Sequence, residues 1–174
     1  MKKLYFVSAL VLLIFNSVAQ ENTLHLKSGK ISLSSDINIF NIYEKNYHFM
    51  VFSHIPTNMI KEKIKLLGID FLYYIPNKAY VVSISKEINV DNLANFGIIA
   101  INPIQPSHKI DPKLQGYNFP DWAFKNNLLS IKLLLYKNAN LLSFEQYCQK
   151  MNYQIDAVNR TNNSILLTVS ANEL

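Results

Sequence analysis

YHFMVFSHIPTNMIKEKIKLLGIDFLYYIPNKAYVVSI, residues 47–84, is the stretch from which the rest of the chain is read. Tyr47 to His54 is apolar and aromatic, is closed by Pro56, and suits a strand. Thr57 to Leu67 places Met59, Ile60, Ile64 and Leu67 at spacings of three and four, with lysines and Glu62 between them. That spacing predicts one apolar stripe on a short amphipathic helix. Gly68 follows, where a left-handed C-cap favours glycine. Phe71 to Ile75 is a second apolar run, Pro76-Asn77-Lys78 a turn, and Ala79 to Ile84 a third strand. None of this carries a catalytic motif.

Working downstream, Asn89 is positioned to cap a helix from Val90 to Phe96, with Leu93 and Phe96 facing inward and Gly97 ending it. Ile98 to Ile104 is a fourth strand, closed by Pro103 and Pro106. Strand, helix, strand, strand, helix, strand is the α+β, ferredoxin-like split βαβ order. It predicts an antiparallel sheet with two helices on one face and the other face left for solvent or a partner. Residues 111–128, with Pro112, Gly116 and Pro120, read as a linker, against which Trp122 and Phe124 are expected to tuck toward a neighbouring domain.

A weaker copy follows over residues 129–174. Leu129 to Tyr136 restarts a strand and Ser143 to Asn152 a helix, with Ser143 and Gln146 in capping-box spacing and Phe144, Tyr147, Cys148 and Met151 as its stripe. Tyr153 to Val158 and Ser164 to Val169 are strands around a polar turn. Val51 matches Leu134, Gly68 matches Asn152 and Tyr80 matches Ile165, at offsets of 83, 84 and 85 residues. A duplication is expected, with the second copy incomplete: Ser170 to Leu174 lies where the second helix of the first copy is introduced. Either residue 174 is not the natural end of the product, or the last half-domain borrows cover from a neighbour.

Upstream, Lys2 and Lys3 precede the apolar Leu4 to Phe15, and Ser17-Val18-Ala19 precedes Gln20. A basic start, an apolar middle and small residues before a cleavage point describe a secretory signal peptide over residues 1–19. The apolar run is short for a membrane span. A secreted, periplasmic or cell-surface location is expected, with an uncleaved anchor as the alternative. Residues 20–46 form a lead segment, in which Leu24, Leu26, Ile31 and Leu33 alternate around Ser28-Gly29-Lys30 as a small hairpin; Ile37 to Tyr43 fits a short strand or a helical turn.

Composition narrows the function classes. The 174-residue chain has a formal charge of +5, which falls to +3 without Lys2 and Lys3. Charges of both signs are interspersed and Arg160 is the sole arginine, so the footprint of a nucleic-acid binder is missing. The single cysteine, Cys148, rules out an internal disulfide framework and sits on a helical stripe as a small hydrophobe. His25, His48, His54 and His108 show no metal-ligand spacing, and no cofactor is implied. The carboxylates are scattered, Gly-x-Ser-x-Gly is absent, and four glycines supply no phosphate-cradling loop. These residues therefore read as non-catalytic.

The phrase HFMVFSHIPTNMIKEKIKLLGIDFLYYIPNKAYVVSI resembles the N-terminal prodomains of secreted subtilisin-like serine peptidases, of the fervidolysin-like type common in Bacteroidetes. The features carrying the resemblance are the strand ending near a proline, the lysine-rich helix ending in Leu-Gly-Ile, and Tyr-Ile-Pro-Asn-Lys-Ala-Tyr-Val. It covers residues 47–110, and more weakly Asp121-Trp122-Ala123 onward. The resemblance implies an intramolecular chaperone and temporary inhibitor, partnered in cis or in trans with a peptidase catalytic domain. In that family the open sheet face lies on two surface helices of the peptidase and templates its slow, non-local sheet. The segment after the last strand then occupies the cleft. In the first unit that segment is Pro106 to Leu114, which makes Pro106, His108, Ile110 and Leu114 the candidate binding residues; if both units belong to the prodomain, the blocking tail lies beyond residue 174. A free-standing secreted binding or adhesion module of two ferredoxin-like units is the alternative.

Overall fold

The computed structural model describes residues 22–34, 46–85, 88, 93–115, 119–125 and 128–170. The expected signal peptide, the stretch Ile37 to Tyr43 and the Asn89 cap lie outside these residues.

The chain is α+β, built on antiparallel sheets. A hairpin of β1 (Asn22–Leu26) and β2 (Gly29–Leu33) comes first. Leu26 pairs with Gly29, so the turn is Lys27-Ser28 and not Ser28-Gly29-Lys30. Next come β3 (Asn46–Phe52), α1 (Asn58–Leu66), β4 (Ile69–Ile75), β5 (Ala79–Ile84) and β6 (Ile98–Pro103). Their sheet has the order β4-β5-β3-β6, and all its pairs are antiparallel.

Local chemistry explains these limits. Thr57 is the N-cap of α1, its hydroxyl accepting from the Ile60 N–H. Gly68 follows the helix at φ 91°, the left-handed position that releases the chain into β4. Ile64 is fully buried, with Ile60 and Leu67 packed beside it. Met59, expected on that stripe, is 71% exposed, because its position adjacent to Ile60 rotates it about 100° off the buried face.

The α1 side of the sheet is a continuous core of Met50, Phe52, Ile64, Ile69, Tyr80, Val82, Ile84, Leu93, Ile98 and Ile101. Of the helix expected from Val90 to Phe96, residues 90–92 lie outside the described residues, and the described part is a 3-10 turn, Ala94–Phe96, ended by Gly97 at φ 76°. The other sheet face is not free. Phe49, Val51, Val81 and Ala100 on that side pack with Leu24, Leu26, Ile31 and Leu33 of the hairpin, and with Tyr136. Asn77 Nδ2 donates to Thr23 O at 3.1 Å and Asn102 Nδ2 to Ser34 O at 3.0 Å, which ties the hairpin down. The expectation of a free face in the first unit is therefore corrected: apolar residues on both faces of β3 and β5 demand two covers, and the alternating hairpin is the second.

The expected linker carries structure: a short α2 (Pro112–Gln115), a 3-10 turn at Asp121–Ala123 and β7 (Phe124–Lys125). Then follow β8 (Leu128–Leu134), α3 (Leu141–Lys150), β9 (Gln154–Asn159) and β10 (Ser164–Ser170), in a sheet ordered β7-β8-β10-β9. Helix α3 starts two residues ahead of Ser143. Its cap is Asn140, whose Oδ1 accepts from the Ser143 N–H at 3.0 Å, so no Ser143–Gln146 capping box forms. Its inner face is Leu141, Phe144 and fully buried Cys148, while Tyr147 and Met151 are exposed. Burial pushes the Cys148 thiol pKa up, which keeps it protonated and inert.

The two sheets correspond in register as well as in order. Met50 pairs with Tyr80, and Leu133 with Ile165, at offsets of 83 and 85 residues. Gly68 and Asn152 both hold positive φ after their helices, 91° and 57°. No helix among the described residues is long and apolar enough to cross a membrane.

Candidate functional site

Pro103 ends β6, and the chain then turns back on its own sheet. Ile104 N–H donates to Tyr47 O at 3.0 Å. Pro106–His108 forms a 3-10 turn capped reciprocally, with Gln105 N–H donating to His108 Nδ1 at 3.1 Å. That bond fixes Nδ1 as the acceptor, so the neutral ring carries its proton on Nε2. The His108 ring packs on Phe49 with centroids 5.6 Å apart, and its carbonyl accepts from Ser28 Oγ at 3.1 Å. Asp111 caps α2, its Oδ1 accepting from Lys113 N–H. Pro106 is exposed, Ile110 is 41% exposed and Leu114 is half-buried. The four candidate binding residues thus lie on a compact coil bound to the hairpin and β3, not on an extended strand of the kind a peptidase cleft holds.

A second cluster was not singled out by the sequence. The loop between β8 and α3 sets Tyr136 against the first sheet, its ring stacked on Tyr47 with centroids 3.9 Å apart and Tyr73 6.3 Å away. Lys137 Nζ lies 5.0 Å from the Tyr73 ring centre, a cation–π contact. Asn138 Nδ2 donates to Ser83 Oγ at 2.7 Å, and Tyr47 OH donates to Asn138 Oδ1 at 3.3 Å. These six side chains join the two units. The only advance signal is the polar stretch Lys137-Asn138 directly after the strand-like run that ends at Tyr136.

Burial raises the Tyr136 phenol above its ordinary value near 10, with Tyr47 and Tyr73 adding to the rise; Tyr47 is raised by burial and by Tyr73. Folding therefore favours the neutral phenols. Their contribution is complete below the unfolded pKa of about 10 and is lost as pH rises through the higher folded values. Denaturant midpoints are expected to fall between pH 10 and 12, and to fall less steeply in the double variant Y47F/Y136F. Parallel slopes in the two proteins would contradict the assignment.

The third region is the outward face of the second sheet. Leu128, Ser130, Lys132 and Leu134 alternate outward from β8. Ser130 Oγ and Thr168 Oγ1 are 3.3 Å apart, and Thr168 Oγ1 donates to Asp156 Oδ2 at 2.5 Å. Gln154 Nε2 donates to Asp156 Oδ1 at 3.0 Å. The resulting ladder crosses β8, β10 and β9 on an exposed face. Among the described residues no three His, Cys, Asp or Glu side chains form a metal-sized group.

A family model described as a domain of unknown function (DUF8729) matches residues 20–105. That span holds the hairpin and the first sheet. No curated protein and no solved structure matches the chain.

Proposed function

We propose that the chain is a non-catalytic, exported prodomain of a subtilisin-like serine peptidase, serving its catalytic domain as folding template and temporary inhibitor. On this reading each unit is ferredoxin-like. The order β6-β3-β5-β4 with antiparallel pairing supports that for the first, and β8-β10-β9 repeats three of the four positions in the second. The single observation that carries the docking role is the second sheet: helix α3 and its apolar partners fill one face, while the Ser130–Thr168–Asp156 face is exposed. A prodomain needs one such free face to lay on peptidase helices. The docking surface accordingly moves from the first unit, whose sheet is covered on both sides, to the second.

That double cover also favours a second reading, a free-standing secreted binding module of two such units. The first sheet needs no peptidase to bury its apolar groups, and the coil after it already packs His108 on Phe49.

Calorimetry of residues 20–174 with secreted subtilisin-like peptidases carrying an alanine at the nucleophile separates the two. A Kd in the micromolar range or tighter is expected, weakened about tenfold by Ser130→Arg on the free face. No binding across such a panel would sink the prodomain reading and leave the module.

A further inference from the structure

In the first unit, β6 completes the sheet by pairing with β3 from His48 to Phe52, with Met50 opposite Ile101 and Phe49 opposite Asn102. The 83-residue offset carries those β3 positions to Ile131–Leu135. β7, the neighbour of β8 on that side, pairs only at Leu128 and Leu129, one step short of this span. It goes no further because Asp121–Ala123, which would continue it alongside β8, is wound into a 3-10 turn. Among the described residues, then, the outer edge of β8 from Ser130 to Leu134 has no strand beside it.

Backbone direction follows from the ladder. Leu135 N–H donates inward to Asn163 O, as Phe52 N–H does to Lys78 O in the first unit. Peptide groups alternate in direction along an antiparallel strand, so those of Ser130, Lys132 and Leu134 point out of the sheet edge. In the first unit the same position is in use: Tyr47 O, the counterpart of Ser130, accepts from Ile104 N–H.

The core beneath is correspondingly incomplete. Leu93, Ile98 and Ile101 are fully or almost fully buried over the first unit's core, with Phe96 packed beside them. The second unit has Cys148, Ile165, Leu167 and Val169 buried, while Ile131, Leu133, Leu135 and Phe144 are only partly so. A strand laid along β8 would cover these side chains and satisfy the outward peptide groups together.

We infer that the β8 edge at Ser130–Leu134 is an acceptor for β-strand addition. Its occupant is an extended segment of a partner polypeptide, antiparallel to β8. Alternate apolar side chains of that segment face α3, and a carboxylate lies opposite Lys132. The charge and backbone of this edge select that occupant. β-Addition supplies affinity through main-chain hydrogen bonds and specificity through alternate side chains. Lys132 stands at the middle of the edge with its side chain exposed. Two copies joined antiparallel through this edge would bring their Lys132 side chains face to face, a like-charge pair that weakens strand association. An acidic partner residue at the same place turns that penalty into attraction. The inference concerns the edge of the second sheet, is independent of what lies on its face, and stands under either reading of function.

The probe is a labelled peptide with the sequence of residues 97–104, GIIAINPI, carrying Asn102→Asp. It reproduces the strand that closes the first unit and puts a carboxylate opposite Lys132. Anisotropy with residues 20–174 is expected to give saturable binding at micromolar concentration. Hydrogen exchange by NMR should slow at the Lys132 and Leu134 amides, with little change at Ile131 and Leu133, which already face β10. Lys132→Glu, a surface change that leaves folding intact, should weaken the Asp peptide about two- to fivefold and strengthen a peptide with lysine at that position. Absence of amide protection at millimolar peptide would overturn the inference. So would a charge reversal without effect, or concentration-dependent protection of Lys132 and Leu134 in the peptide-free protein, which would make a second copy the occupant.

Discussion

Phe52→Ala is expected to destabilise the first unit by about 3–5 kcal/mol, the usual cost of removing a buried phenylalanine. The side chain is completely buried at the centre of the α1-side core. It lies over Phe71 at 6.2 Å and meets the Tyr80 edge at 5.8 Å, while Tyr80 also contacts Phe71 at 5.1 Å. Truncation would remove one ring of this mutually packed set of three, and the backbone cannot close the void because β3 is held between two strands. A chain of this size loses roughly 2–4 °C of Tm per kcal/mol, so a fall on the order of 10 °C is expected. Met59→Ala is the comparison, since an exposed site is worth within about 0.5 kcal/mol. Equal Tm values for the two variants would show that the core has been misplaced.

Tyr136→Ala should have the next largest effect and a different signature. Tyr136 belongs to the loop of the second unit, yet it packs in the hairpin-side core of the first. Removing the ring deletes the stack on Tyr47 and the contact with Tyr73. A half-buried aromatic is worth about 2–3 kcal/mol, below the range for full burial. Because that energy lies between the units, its loss should uncouple them. Single-step thermal unfolding should separate into two transitions, with the second unit melting first on account of its smaller buried core. One transition, shifted as a whole, would mean that the Asn138–Ser83 and Tyr47–Asn138 bonds suffice to couple the units.

Much of the fold could be read from local chemistry. The α1 helix, Gly68, the Pro76–Lys78 turn and the strands around them are specified by signals that lie within a few residues of each other. The correspondence between the two sheets is legible for the same reason, since Asn152 stands where Gly68 does, at a left-handed position that asparagine tolerates. Tertiary choices were less so. The hairpin's alternation announced a half-buried pair of strands, but nothing in Leu24 or Ile31 says against which face they settle. Tyr136 was read as the end of a strand because β-propensity and a long-range aromatic stack look alike in one dimension. The resemblance places the Pro106–Leu114 segment in a peptidase cleft; its turns arise from Gln105–His108 and Asp111–Lys113 hydrogen bonds, which compete with extended structure. β7 escaped notice because two residues give no period.

The proposed sites differ correspondingly in how they could be found. The free face of β8, β9 and β10 follows from simple alternation once the strands are placed. The edge of β8 from Ser130 to Leu134 stands out only when both sheets are aligned by register, since it is defined by pairing that β3 has and that, among the described residues, β8 has only at Leu128 and Leu129.

Refolding tests the central claim most directly. An acid-unfolded subtilisin-like peptidase domain is diluted into neutral buffer with and without equimolar residues 20–174, and recovered activity is followed after the added chain is digested. The prodomain account predicts at least a tenfold gain in recovered activity with its cognate peptidase, reduced toward the unassisted level by Ser130→Arg. Recovery that is the same with and without the chain, for every subtilisin-like domain that needs a template to refold, would contradict it.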